Sequence, residues 1–167
     1  MSLSEFGAAA VAYAERGWAV FPLIARDKVP SIHGGCRSAL ADPVQARAWW
    51  SANPRHNVGI ACGAVSGGLV VIDIDVDESE GEDGRETLAR WEDEHGALPA
   101  TATAITGRGG MHLFFHVDHE VRNSANKALG VDVRGDGGYL VAPPSVHPNG
   151  RRYTWLASPE EVGVAEA

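Results

Sequence analysis

Apolar and polar positions along the chain change period several times, and each change marks an element. Residues 3–16 (LSEFGAAAVAYAER) place Phe6, Ala10, Tyr13 and Ala14 at helical spacing, and Gly17 offers a C-terminal stop. Residues 18–23 (WAVFPL) read as a strand ended by a turn. Pro22 has no N–H for a ladder, which puts that strand at a sheet edge. Residues 25–41 form a loop holding Lys28, Pro30 and the Gly34-Gly35 pair. Asp42 followed by Pro43 is an N-cap with proline at the first helical position. The helix it opens runs through Trp49-Trp50 and stops before Pro54. Adjacent helical positions point about 100° apart, so at least one of these tryptophans faces the core.

Beyond residue 56 the pattern is mainly of strands. Residues 57–62 form a short one, Ser66-Gly67-Gly68 a turn, and residues 69–76 (LVVIDIDV) the strongest strand in the chain. The acidic segment that follows loops into a helix over residues 85–95, with Leu88 and Trp91 on its apolar side. Further strands are expected at 101–106, 111–117, 129–134 and 139–142. Pro148-Asn149-Gly150 forms a hairpin turn into residues 152–156. There is no internal repeat. Helix and strand come first and mostly strands later, which predicts an α+β fold, one domain over residues 1–167 in two lobes with no separable linker.

Composition excludes several classes. With 44% hydrophobic residues in 167 positions, the chain can bury its own core and is not disordered. The two cysteines, Cys36 and Cys62, are too few for a disulfide scaffold or a cysteine-only zinc site. No apolar run approaches the roughly 20 residues of a membrane span, and the N-terminus lacks signal-peptide features. A soluble, cytoplasmic protein with no membrane partner is the expectation. The net charge of −8 argues at first against nucleic acid. However, residues 73–94 hold 11 of the 22 acids and only two bases, Arg85 and Arg90. The acidity is therefore half local, and a basic patch elsewhere stays open.

Three constellations carry candidate chemistry. Asp73 and Asp75 lie two apart on a strand, so they share a face with Cα atoms about 6–7 Å apart. Two carboxylates after four apolar residues suit a divalent cation; the alternative is an edge strand with a wet face. Asp77 shares that face but opens the acidic loop, and ranks below the other two. The second is Thr106-Gly-Arg108-Gly109-Gly110-Met-His112, where a glycine-rich turn and Arg108 could cradle phosphate and His112 could face the same anion. His116 lies four residues on, too far to serve the same atom. The third places Asp132 between two valines with Arg134 on the same side; its alternative is a surface ion pair. Carboxylates, a histidine and arginines with a phosphate-friendly turn match two-metal phosphoryl transfer better than a hydrolase triad or redox chemistry.

These residues, in this order, resemble the bifunctional DNA primase/polymerase N-terminal (Prim-Pol) domain of the archaeo-eukaryotic primase superfamily. The resemblance covers nearly the whole chain. It runs through residues 13–23 (YAERGWAVFPL), Lys28-Val29-Pro30, Trp49-Trp50, 57–60 (NVGI) and 71–75 (VIDID). It continues through 109–115 (GGMHLFF), 131–139 (VDVRGDGGY) and 143–147 (PPSVH). It implies an α/β N-terminal unit packed on a mixed sheet like that of an RNA-recognition motif, with the active cleft between them. It implies template-directed nucleotidyl transfer in plasmid, phage or mobile-element replication. Asp73, Asp75 and Asp132 would be catalytic and would bind two Mg²⁺ or Mn²⁺ ions. Arg108, Gly109, Gly110, His112 and Arg134 would bind the nucleoside triphosphate, dNTP or NTP, with His112 on its phosphates. Partners implied are a single-stranded DNA template, a primer and a replicative helicase in cis or in trans.

The sequence departs from the superfamily in two respects. Gly110 stands where many members carry Ser or Thr, so backbone N–H must replace a hydroxyl. Some relatives carry a zinc module that assists priming; Cys36 and Cys62, 26 residues apart, provide no equivalent, so primer extension is expected over priming from nothing. Two other functions compete: a catalytically weak single-stranded-DNA-binding domain serving a helicase, and a metal-dependent nuclease. Retained carboxylates argue against the first. The spacing of His112 and His116 argues against the second. Template contact is expected at Arg151 and Arg152, with Tyr153 and Trp155 as stacking surface and Lys28 as a further cation; Trp49-Trp50 is the rival platform. Asp73, Asp75 and Asp132 should converge on one metal site. Asp73→Ala should leave stability level or raise it by relieving carboxylate repulsion.

Overall fold

A computed structural model describes residues 2–76, 83–126 and 129–167; Asp77 lies outside the described residues. In chain order the elements begin with α1 (Glu5–Glu15), β1 (Ala19–Leu23), α2 (Pro43–Ala52), β2 (Asn57–Ala61) and β3 (Leu69–Ile74). They continue with α3 (Gly84–His95), β4 (Thr103–Ile105), β5 (Met111–His116), β6 (Ser124–Asn126) and β7 (Val131–Arg134). Last come β8 (Tyr139–Ala142), β9 (Thr154–Ala157), α4 (Pro159–Val162) and β10 (Ala165–Glu166). Among these, no helix is long and apolar enough to cross a membrane.

Local chemistry accounts for most boundaries. The Asp42 side chain accepts from the Val44 and Gln45 N–H groups, so α2 starts where the Asp-Pro pair predicts. Gly17, with φ at 92°, follows α1 in the left-handed region that favours glycine. Trp50 is fully buried and Trp49 half-buried, as their angular separation requires. Three elements carried too little pattern to be predicted. All three residues of β6 are exposed, α4 is a single turn closed by a Ser158–Glu161 capping box, and β10 has only two residues.

The strands form two sheets. The smaller has the antiparallel order β1-β2-β8, and the larger runs β6-β7-β3-β5-β4-β9, with β10 added in parallel to β5. Pro22 does sit at an edge, yet β1 is buried throughout because the following loop covers it through bridges from Val20 to Leu40 and Leu23 to Pro30. The core lies between the sheets. Leu69 and Val71 of β3 and Phe114 of β5 pack with Val20, Val58, Ile60 and Leu140 of the smaller sheet, and with Trp18 and Trp50. The opposite face of β3 and β7 presents Ile72, Val131 and Val133 toward Leu88 and Trp91 of α3. Residues 69, 71 and 73 of β3 therefore point at the other sheet, and 70, 72 and 74 point away.

One buried amide connects the smaller sheet to two loops. The Asn57 side chain donates to the Asp27 carbonyl (2.9 Å) and the Val146 carbonyl (2.7 Å), and accepts from the Val146 N–H (2.9 Å). Asn57 is 1% exposed, so its removal leaves three backbone groups short of a partner in a dry setting. Asn57→Ala is expected to cost about 2–4 kcal/mol, read as a lower urea midpoint with an unchanged m-value.

Candidate functional site

The site is assembled by strand register. In the antiparallel pairing of β3 with β7, Asp73 faces Asp132; in the pairing of β3 with β5, Asp73 faces His112. Asp132, Asp73 and His112 thus form a row across three adjacent strands, on the face turned toward the smaller sheet. Arg134, two positions beyond Asp132, shares that face and bridges the carboxylates. Its Nη2 donates to Asp73 Oδ2 at 3.0 Å and to Asp132 Oδ2 at 2.9 Å. His112 Nε2 lies 3.3 Å from Asp73 Oδ1, and Asp132 Oδ1 accepts from the Asn126 N–H at 2.9 Å. Both bland alternatives fail here. β3 has a neighbour on each side, so Asp73 is on no edge strand, and Asp132 is buried rather than part of a surface pair.

Burial by itself would push the Asp73 carboxyl up. The hydrogen bond and charge of His112, then Arg134, outweigh this and lower it to about 2. Asp75 stands at the solvent rim and moves the other way, raised first by partial desolvation and then by the charges of Asp73 and Asp132. Asp73 is therefore compensated by direct contacts while Asp75 is only partly offset by the charges of Arg108 and Lys28, which corrects one expectation. Repulsion among the carboxylates is already relieved by Arg134 and His112, so deleting Asp73 removes attraction and should destabilise the protein.

Two cavities meet at this row. One, of about 290 Å³, and a more polar one of about 150 Å³ share Lys28, Asp73, His112, Arg134 and Tyr153 in their walls. The larger is also walled by Tyr139 and Val141 of β8, and by Gly137, Gly138 and Asn123. The smaller adds Asp75, Thr106, Arg108 and His147. Both sheets contribute to the walls. Thr106 and Tyr139 belong to sequence motifs without being singled out as site residues there, and Asn123 carries no signal, because nothing local ties it to Asp73. Lys28, expected at a template surface, is exposed and lines both cavities. His116 pairs with Leu69 at the far end of β3, away from the row.

The glycine turn differs from expectation. The Gly109 N–H donates to the Thr106 carbonyl (2.9 Å) and the Gly110 N–H to Thr106 Oγ1 (3.0 Å), so both are consumed within the turn. Neither is aimed at an anion, so the Gly110 N–H does not take the place of a hydroxyl there. A Cβ on Gly110 would fall 2.2 Å from the Ile74 carbonyl oxygen, which bars any side chain there. The hydroxyl at this place is that of Thr106, four residues earlier. Arg108 is exposed, and its charge reaches Asp75.

The hairpin after residue 147 also differs. Tyr153 is buried, its ring stacked on His112 with centroids 6.2 Å apart, and Trp155 is half-buried against the core with Nε1 donating to Tyr13 Oη at 3.2 Å. Alternation along the strand turns Tyr153 inward, to the cavity walls, as Arg152 turns outward, so the ring is not part of an outer surface for template. Arg152 is paired with Glu5 at 2.8 Å and lies over the Phe6 ring; Arg151 is exposed at the turn.

As donors, three carboxylates on one sheet face suit a hard divalent cation. The expected convergence is only partial. Asp73 and Asp132 meet at one guanidinium, and among the described residues no three His, Cys, Asp or Glu side chains are gathered closely enough to hold a metal ion. A cation at Asp73 and Asp132 would have to compete with Arg134.

The family model for the bifunctional DNA primase/polymerase N-terminal domain, Prim-Pol, matches residues 10–167, and the chain belongs to this family. The family is one of DNA primase/polymerase nucleotidyltransferases, so DNA and nucleotides are its substrates. No curated protein matches the sequence.

A carboxyl whose folded pKa is depressed contributes stability above its unfolded pKa, near 3.9, and loses it as pH falls through the folded value, here about 2. Asp73→Asn is therefore expected to be less stable by about 2 kcal/mol at neutral pH. In urea titrations the gap to the natural protein should close between about pH 4 and pH 2.

Proposed function

We propose that this Prim-Pol chain transfers a nucleotide from a nucleoside triphosphate to a 3′-hydroxyl paired with a DNA template, with the reacting groups where the two cavities meet. The observation that carries the reading is the in-register row Asp132–Asp73–His112, which puts acid ligands beside a phosphate-compatible base. The order β7-β3-β5-β4, with α3 linking β3 to β4, supports the reading of the larger sheet as a unit like an RNA-recognition motif. Walls drawn from both sheets support an active cleft between the two lobes of one domain.

Asp73, Asp75 and Asp132 are the residues that would hold one or two Mg²⁺ or Mn²⁺ ions. Such an ion, when bound, neutralises phosphate charge and favours the deprotonated hydroxyl nucleophile. Asp73 is ionised at any working pH, so no proton has to leave it before it can act as a ligand. Arg134 keeps Asp73 and Asp132 side by side in a mostly buried setting, where two bare carboxylates would repel. His112 stacks with the buried Tyr153 ring and meets both Asp73 and the two cavities. Arg108 and the Thr106 hydroxyl at the smaller cavity suit phosphate oxygens. The larger, less polar cavity suits the nucleoside. Template contact then rests on few cations, Arg151 first among them. The mobile-element setting and a helicase acting in cis or in trans belong to the same reading.

The test is incorporation of labelled dNTP onto a primed template with Mg²⁺ or Mn²⁺. The natural protein should extend the primer, and Asp73→Asn or Asp132→Asn should lose about a hundredfold or more of that rate. His112→Ala should weaken binding of a non-hydrolysable dNTP by about 1–3 kcal/mol in a calorimetric titration. Undiminished extension by Asp132→Asn would overturn the reading.

A further inference from the structure

Lys28 stands apart from the other cations of the site. It comes from the loop after β1 in the smaller sheet, yet it lines both cavities beside Asp73, His112 and Arg134 of the larger sheet. The main chain of residues 27 and 28 is tied to the smaller sheet at two points and within its own loop at one. The Lys28 N–H donates to Asp27 Oδ1 (2.6 Å), its carbonyl accepts from Tyr139 Oη (3.0 Å), and the preceding Asp27 carbonyl accepts from Asn57 Nδ2 (2.9 Å). A solvated surface lysine requires no such anchoring. The side chain itself is exposed and makes no ion pair with the described residues.

Asp73 and Asp132 do not explain it. Asp73 is already met by His112 and Arg134, and Asp132 by Arg134 and the Asn126 N–H. Lys28 shares the smaller cavity with the exposed Asp75 and with His147, and it pairs with neither. A held backbone that carries an ammonium without an ion pair among the described residues into a cavity also lined by Thr106 suits one further anion.

We infer that Lys28 contacts the polyphosphate of the bound nucleotide, reaching from the smaller sheet to phosphates held by the larger one. The inference rests on the nucleotidyl-transfer reading and assigns Lys28 to the nucleotide rather than to the template. It also gives the two-sheet construction a role at the site: a bound triphosphate is held from both sides, and the Asn57 and Tyr139 hydrogen bonds keep the lysine in place. As a point charge on a four-carbon stem, Lys28 can follow phosphates through a reaction in which pyrophosphate leaves.

The experiment compares the natural protein with Lys28→Met, which keeps the stem and loses the charge, and with Lys28→Arg. Each is titrated with inorganic tripolyphosphate, with a non-hydrolysable dNTP, and with labelled single-stranded DNA across a salt series. Lys28→Met should weaken tripolyphosphate and dNTP by the same factor, roughly tenfold, as expected for one charge-assisted contact. Lys28→Arg should recover most of the loss. DNA affinity without nucleotide, its salt slope and the melting temperature should not change. Unchanged dNTP affinity in Lys28→Met, with the natural protein binding dNTP, overturns this inference and leaves the nucleotidyl-transfer reading standing. A loss of DNA affinity with nucleotide binding intact assigns Lys28 to the template and overturns it as well. Failure of the natural protein to bind either polyphosphate or dNTP defeats the reading on which the inference rests.

Discussion

A guanidinium shared between two mostly buried carboxylates is the interaction on which the site depends. Asp73 and Asp132 face each other across β3 and β7, at a separation fixed by backbone hydrogen bonds. Without a counter-charge, that register would place two anions together in a poorly hydrated setting, at a cost of several kcal/mol. Arg134 removes the cost from within the same strand, because a residue two places along a strand shares its face. His112 completes the arrangement from the other side of β3. The acidic row is thus compatible with a folded sheet in the absence of any ligand, and what binds there must offer at least the charge compensation that Arg134 already provides.

The same face of β3 serves two purposes along its length. Leu69 and Val71 are in the core against the smaller sheet, and the next two inward positions, Asp73 and Asp75, meet the cavities and then solvent. β5 repeats the change, with Phe114 in the core and His112 at the cavities. The apolar ends clamp the two sheets, and this clamping holds the polar ends apart to leave a space rather than a contact. The reverse face of the larger sheet, where α3 packs, has no charge of this kind among the inward positions of β3 and β7. Position along a strand, as well as facing, separates structural residues from candidate chemical ones.

Close approach of backbones explains why hydroxyl and amide groups sit where they do. Gly110 passes so near the Ile74 carbonyl that no side chain can stand there, and its N–H turns back to Thr106. The turn is therefore satisfied internally and rigid, with Thr106 at the cavity. On the other wall, Asn57 and Tyr139 do the equivalent for residues 27 and 28 through side-chain bonds to main-chain carbonyls.

Much of this was determined by the sequence alone. The α+β class, both principal N-terminal helices, the strands from β1 to β5 and from β7 to β9, and the choice of Asp73, Asp75, Asp132 and His112 all follow from local periodicity, capping residues and anomalous charges in apolar strands. Such signals are legible because they arise between residues a few places apart. The family followed from the order of those pieces. What tertiary structure decided is which groups meet. Arg134 bridges Asp73 at a separation of 61 residues, Lys28 enters from the other sheet, Tyr139 and Thr106 line the cavities, and Tyr153 is buried behind His112. The N–H groups of Gly109 and Gly110, apt for phosphate by composition, are used up by their own turn. Register, sheet-to-sheet packing and hydrogen-bond satisfaction are properties of the assembled backbone, set by contacts between distant segments, and no pattern within one segment encodes them.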